Sequence, residues 1–98
     1  MVMIVIQHPV ADFEAWKRTF ESDPLGRAKN GVVRHSVFRP VDDPNFVFVS
    51  LEFPTREAAT RFLSALRELW KGVGDKIGFG DASKIAVRIF DEVERVDY

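Results

Sequence analysis

The 98-residue chain has no cysteine, which removes disulfides, thiolate nucleophiles and Cys-ligated zinc or iron–sulfur clusters. Histidine is scarce as well. His8 and His35 are the only two, no HxxxH or HxH spacing exists, and no metal site is expected. There is no excess of one charge: fourteen Lys plus Arg against fifteen Asp plus Glu give a net charge of −1. Such a balance lacks the basic field that draws nucleic acid or anionic lipid, so neither is expected as a partner. Long apolar runs are missing too. The run Met1 to Ile6 has no basic leader and is cut short by Gln7-His8-Pro9, far below signal-peptide or membrane-spanning length, so no membrane role and a cytoplasmic address are expected. Internal repeats and low-complexity linkers are also lacking, and residues 1–98 read as a single domain.

What the chain does have is apolar and aromatic: 46% of its residues are hydrophobic, with nine Phe and two Trp, too many for a disordered segment. The most informative stretch is Phe46-Val47-Phe48-Val49-Ser50-Leu51-Glu52-Phe53, apolar at six of eight positions and bulky on both sides of the pleat. A strand of that kind must be covered on both faces. Two helices from a chain this short cover one side of a small sheet, so the other side predicts a second layer, most simply a second copy in a homodimer.

Residues 2 to 8 read as a strand stopped by Pro9, and Asp12 as a helix N-cap. Phe13, Trp16 and Phe20 then recur at helical spacing, with Glu14, Lys17, Arg18 and Glu21 between them, until Asp23-Pro24. Pro24 opens a short turn through Ala28 that Asn30-Gly31 closes. Val32 to Arg39 and Phe46 to Phe53 are strands flanking the turn-rich Pro40–Asn45 loop, a β-hairpin. Thr55 caps a second helix whose stripe is Ala59, Phe62, Leu63, Leu66, Leu69 and Trp70, broken at Gly72. Gly72 to Gly80, with four glycines in nine residues, predicts a loop, and Lys84 to Val93 a final strand.

The order strand, helix, strand, strand, helix, strand is the split βαβ arrangement, an α+β ferredoxin-like fold with an antiparallel sheet, sheet order 4-1-3-2, and two helices on one face. Residue parity gives the strands an aliphatic face (Val2, Ile4, Ile6; Val33, Val37; Val47, Val49, Leu51; Ile85, Val87, Ile89), assigned to the helices. The other face mixes Phe38, Phe46, Phe48 and Phe90 with Arg34, Glu52 and Arg88, and is assigned to the second copy, the charges serving as interface salt bridges or rim. The long hairpin loop leaves the register open, and a one-residue shift would exchange the second strand's faces.

This order, the size, the D-F-x-x-W-K-x-x-F segment from Asp12 to Phe20 and the R-P-x-D-D-P-N-F-V-F-V segment from Arg39 to Val49 resemble the dimeric α/β-barrel superfamily. That superfamily includes the antibiotic-biosynthesis monooxygenases, small polyketide cyclases, muconolactone isomerases and haem-degrading monooxygenases. The resemblance implies two sheets facing each other in a homodimeric barrel, a ligand cavity between each sheet and its own helices, and, for the monooxygenases, oxygen chemistry without a cofactor. The haem-degrading members carry a His on the second helix. This second helix has none.

Under this topology His8, Asp12, Arg39, Asp42, Asp43, Asp75 and Lys84 collect at one end of the molecule. A helix-side pocket lined by Phe13, Trp16, Phe62, Leu66 and Trp70 would have His8, His35 and Arg39 as polar fixtures, with a small apolar or aromatic ligand as its occupant. His35 or His8 would carry a proton and Arg39 would orient an anionic or phenolic oxygen. Each feature also has a plainer reading: the histidines as hydrogen-bonded strand residues, the tryptophans as core, and Asp42-Asp43 as turn chemistry. The glycine loop follows a helix and lacks a GK[ST] ending, so it predicts a lip over the pocket instead of a phosphate cradle. Three functions remain in view: a monooxygenase- or cyclase-like enzyme acting on an aromatic or polyketide-like substrate, a non-catalytic ligand-binding or stress-associated dimer, and a structural interaction module with no cavity.

Overall fold

The structure is a computed structural model that describes residues 1–73 and 84–98. Strand β1 (Val2–Pro9) leads to helix α1 (Phe13–Ser22) and a one-turn 3-10 segment (Ala28–Asn30). The hairpin β2 (Arg34–Phe38) and β3 (Phe46–Phe53) follows, then α2 (Arg56–Val73) and β4 (Ala86–Asp91). The sheet order is β2-β3-β1-β4, the expected order read from its other edge, and every neighbouring pair is antiparallel. The chain is a ferredoxin-like α+β fold.

Both helices start where a side chain satisfies their orphan amides. Asp12 Oδ1 accepts from the N–H groups of Glu14 at 3.0 Å and Ala15 at 3.3 Å, and Thr55 Oγ1 accepts from Ala58 N–H at 3.1 Å. Helix α1 ends on Asp23 in the left-handed region (φ 51°), and Gly31 (φ 100°) closes the 3-10 turn, a conformation that costs glycine nothing sterically.

Several boundaries differ from the pattern. Pro9 belongs to β1, where it pairs with Phe46, while the pairing to β4 already stops at Gln7; its missing N–H therefore sits at the end of the ladder. The short helical turn forms at Ala28–Asn30, downstream of Pro24. Strand β2 starts at Arg34, and Val32, not Val33, enters the core; Val33 is 56% exposed, because the chain is still irregular as it leaves Gly31. Gly72 does not end α2, which runs to Val73; a glycine in the last turn weakens a helix without breaking it. Strand β4 is shorter than the Lys84 to Val93 expected. Gly74 to Gly80 of the proposed glycine lip, and Asp75 with it, lie outside the described residues.

The hairpin register is settled by the pairs His35 with Leu51, Val37 with Val49 and Phe38 with Phe48. Ile4, Ile6, Val47, Val49 and Leu51 form the buried floor, Val37, Val87 and Ile89 flank it, and Trp16, Ala59 and Phe62 press on it from the helices. The aliphatic face is thus the helix face. On the opposite face Phe38 is 56% and Phe90 43% exposed, and Phe38 meets Phe48 edge to face at 5.7 Å. At one end of that face Glu52 is buried and accepts from Arg34 at 3.2 Å and from Arg95 of the C-terminal segment at 3.4 Å. The charges of Arg34 and Glu52, expected as interface salt bridges or rim charges, are paired within the chain.

Candidate functional site

An apolar cavity of about 80 Å³, open on one side, lies between the helix face of the sheet and the two helices. Ile6, Val49 and Leu51 supply its floor, Trp16 and Phe20 the α1 wall, and Phe62, Leu66, Leu69 and Trp70 the α2 wall. Its polar groups are His8, Thr19, Asp23 and Arg27. The volume is about half the ~150 Å³ of an engineered apolar cavity that admits benzene.

His8 reaches this wall because even positions of β1 face the helices, and it pairs with Val47 across the ladder. It is 1% exposed. Its Nδ1 lies 2.8 Å from the Pro9 carbonyl oxygen, which can only accept, so Nδ1 carries the hydrogen and Nε2 is the basic nitrogen of the neutral ring. The ring also meets Trp16 edge to face at 6.0 Å. Burial pushes its pKa below the usual 6.5, partly offset by the Pro9 hydrogen bond, so His8 is neutral near pH 7.

The other polar candidates lie elsewhere. His35 is exposed on the edge strand β2, edge-on to Phe20 at 5.2 Å, and is not among the residues lining the cavity. Arg39 lies over the ring of Phe13 at 4.4 Å, and neither of these two lines the cavity; Phe13 backs Trp16 at 5.9 Å. Trp16, Phe62, Leu66 and Trp70 all line it, so the structure brings His8 together with four of the five apolar candidates and leaves His35, Arg39 and Phe13 outside. Asp43 makes turn chemistry, accepting from Asn45 N–H at 2.9 Å. Among the described residues no group of three or more His, Asp or Glu side chains could hold a metal ion, and no helix is long and apolar enough to cross a membrane.

Thr19, Phe20, Asp23 and Arg27 escape the sequence reading as pocket residues. The visible signal is the Asp23 to Arg27 spacing around Pro24-Leu25-Gly26: Asp23 Oδ1 accepts from Arg27 N–H at 2.9 Å and folds the loop back toward α1.

No family model matches the sequence, and no significant relative is found among curated proteins. Solved structures do match. A mutant form of the cofactor-independent oxygenase SnoaB from Streptomyces nogalater superposes with a TM-score of 0.77 at 17% identity, covering 99% of this chain and 97% of that one. A dimeric ferredoxin-like protein from an uncultured marine organism gives 0.66 at 12% identity, over 100% of both chains. The monooxygenase ActVA-Orf6 of Streptomyces coelicolor, solved with nanaomycin D, gives 0.61 at 13% identity over 99% of this chain and 91% of that one. At these identities the likeness is one of architecture, and the conclusion it carries is that this chain has a ferredoxin-like fold.

Proposed function

We propose that the protein is a homodimeric small-molecule enzyme of cofactor-independent monooxygenase or cyclase-like type, acting on an aromatic or polyketide-like phenol in the helix-side cavity, with His8 as the proton carrier. The observation that carries this reading is a buried, neutral histidine of defined tautomer that lines a mostly apolar cavity together with Trp16 and Trp70. A base in such a cavity acts on a substrate already shielded from water. The oxygenases of the same fold support the direction of the reading.

For a phenolic substrate with an activated ring CH₂, His8 Nε2 takes a proton from that carbon and leaves an electron-rich carbanion delocalised into the ring. Dioxygen is the oxidant. One of its oxygen atoms ends in the new C=O, the other leaves as water with the two hydrogens of the CH₂, and the histidine returns its proton to that water. The balance is R₂CH₂ + O₂ → R₂C=O + H₂O.

Dissolved-oxygen uptake and quinone absorbance with a hydroxyanthrone test this. The wild-type chain should exceed the protein-free rate, and His8→Gln, which keeps a donor for the Pro9 carbonyl, should lower the catalysed rate about 10²-fold or more. Leu66→Trp, which fills the cavity, should abolish it. An unchanged rate in His8→Gln would remove His8 from the chemistry. The small enclosed volume favours one alternative, a non-catalytic ligand-binding or stress-associated dimer. Phenol binding that Leu66→Trp blocks, without any oxygen uptake, would decide for it.

A further inference from the structure

Arg27 lies in the loop after α1 and lines the cavity with its side chain only 16% exposed. Three contacts hold it. Its guanidinium stacks over the Phe20 ring at 3.9 Å, and Nη1 donates to the Phe20 carbonyl oxygen at 2.9 Å. Nη1 also stands 3.6 Å from Asp23 Oδ1, an ion-pair distance longer than a hydrogen bond, since that oxygen is already engaged by the Arg27 backbone N–H. Phe20 is in turn stacked on Trp16 at 5.2 Å with planes 25° apart. The guanidinium therefore caps an aromatic column that forms one wall of the cavity.

A mostly buried guanidinium has more N–H groups than these contacts use, and the remaining ones make no hydrogen bond to another described residue. Its charge is felt nearby. The His35 pKa is lowered first by desolvation and then by Arg27 and Lys17, with Asp23 opposing, so the Arg27 charge reaches the neighbouring edge strand.

We infer that Arg27 is the specificity-determining residue of the cavity: it receives an anionic oxygen, a carboxylate or phenolate, on a flat aromatic ligand whose ring enters between Trp16, Phe62 and Trp70. The inference rests on the proposal that the cavity holds an aromatic ligand. It gives Arg27 the orienting role that the residue pattern suggested for Arg39. A stacked, hydrogen-bonded guanidinium is already held in place, so it loses little freedom on meeting a planar anion. Arg39 lies over Phe13, outside the cavity lining.

Calorimetric titration with 1-naphthoate and its uncharged isostere 1-naphthamide tests the inference, with the indole NMR signals of Trp16 and Trp70 reporting occupation of the cavity. The wild-type chain should bind naphthoate about tenfold or more tighter than naphthamide. Arg27→Gln should erase that preference while naphthamide affinity stays within about twofold. Arg27→Lys, which keeps the charge and loses the planar fork, should retain part of it, and Arg39→Gln all of it. If Arg27→Gln does not fold, the Arg27→Lys and Arg39→Gln titrations still decide, because an unchanged preference in the first or a lost preference in the second overturns the assignment. Wild-type binding of both probes with equal affinity overturns Arg27 alone. Failure of both to perturb Trp16 and Trp70 overturns the cavity reading as well.

Discussion

His8 and His35 show how little a residue's identity says about its chemistry. Both sit on strands at positions facing the helices, yet His8 is enclosed by a central strand and the α1 aromatics, while His35 stands on the edge strand and meets only the rim of Phe20. The burial of His8 has a consequence for stability. Its folded pKa lies below 6.5, so between about pH 6.5 and that lower value the unfolded chain binds a proton that the native chain refuses. Stability should therefore fall as the pH drops from 7 through this window and level off below the folded pKa. Denaturant unfolding of wild type and His8→Gln across pH 5 to 7.5 should show a steeper loss in the wild type; parallel curves would mean that His8 titrates alike in both states. His35, whose pKa is also lowered, contributes a slope of the same sign.

Among the elements, α1 leans on a local interaction at its start. It has ten residues, too few for a stable isolated helix, and its N-terminal amides are held by Asp12. The helix matters because Trp16, Thr19 and Phe20 form one wall of the cavity and Asp23 at its C-terminus aims the Arg27 loop. Asp12→Ala should cost about 1 kcal/mol, lowering the melting temperature by about 4–8 °C, and Asp12→Ser should restore most of it. Thermal unfolding followed by circular dichroism measures both, and an unshifted Asp12→Ala transition would show that packing alone holds the helix. The cap was legible in the sequence because Asp before an amphipathic run is a local signal. The Asp23–Arg27 loop was not, since its purpose appears only when α1 lies on the sheet.

For the whole molecule, the sheet face opposite the helices is where a second copy is expected to dock. Phe38 and Phe90 are exposed there beside the partly covered Phe46 and Phe48, an aromatic surface of the kind that a second copy covers. Sedimentation should give twice the 11.2 kDa chain mass for the wild type. The double substitution Phe38→Asp with Phe90→Asp should shift it to one chain mass, with little effect on the helix-side core because neither residue belongs to it. A monomeric wild type, or a dimer unmoved by both charges, would place the contact elsewhere.

The sequence by itself determined the order of elements, the two helix caps, the central positions of β1 and β3 and the division of the sheet into an aliphatic and an aromatic face. These follow from periodicity, capping and turn chemistry, which act between residues close along the chain. It also placed His8, Trp16, Phe62, Leu66 and Trp70 on the helix side, since parity carries along a strand and a stripe along a helix. The tertiary structure alone decided the hairpin register, the exclusion of His35 and Arg39 from the cavity lining, and the arrival of Arg27 in that lining. Those outcomes depend on how an eleven-residue stretch between α1 and β2 packs back over Phe20, and on which strand lies at the edge. Convergence of side chains from distant segments is set by the packing of elements against one another, and no local pattern records it.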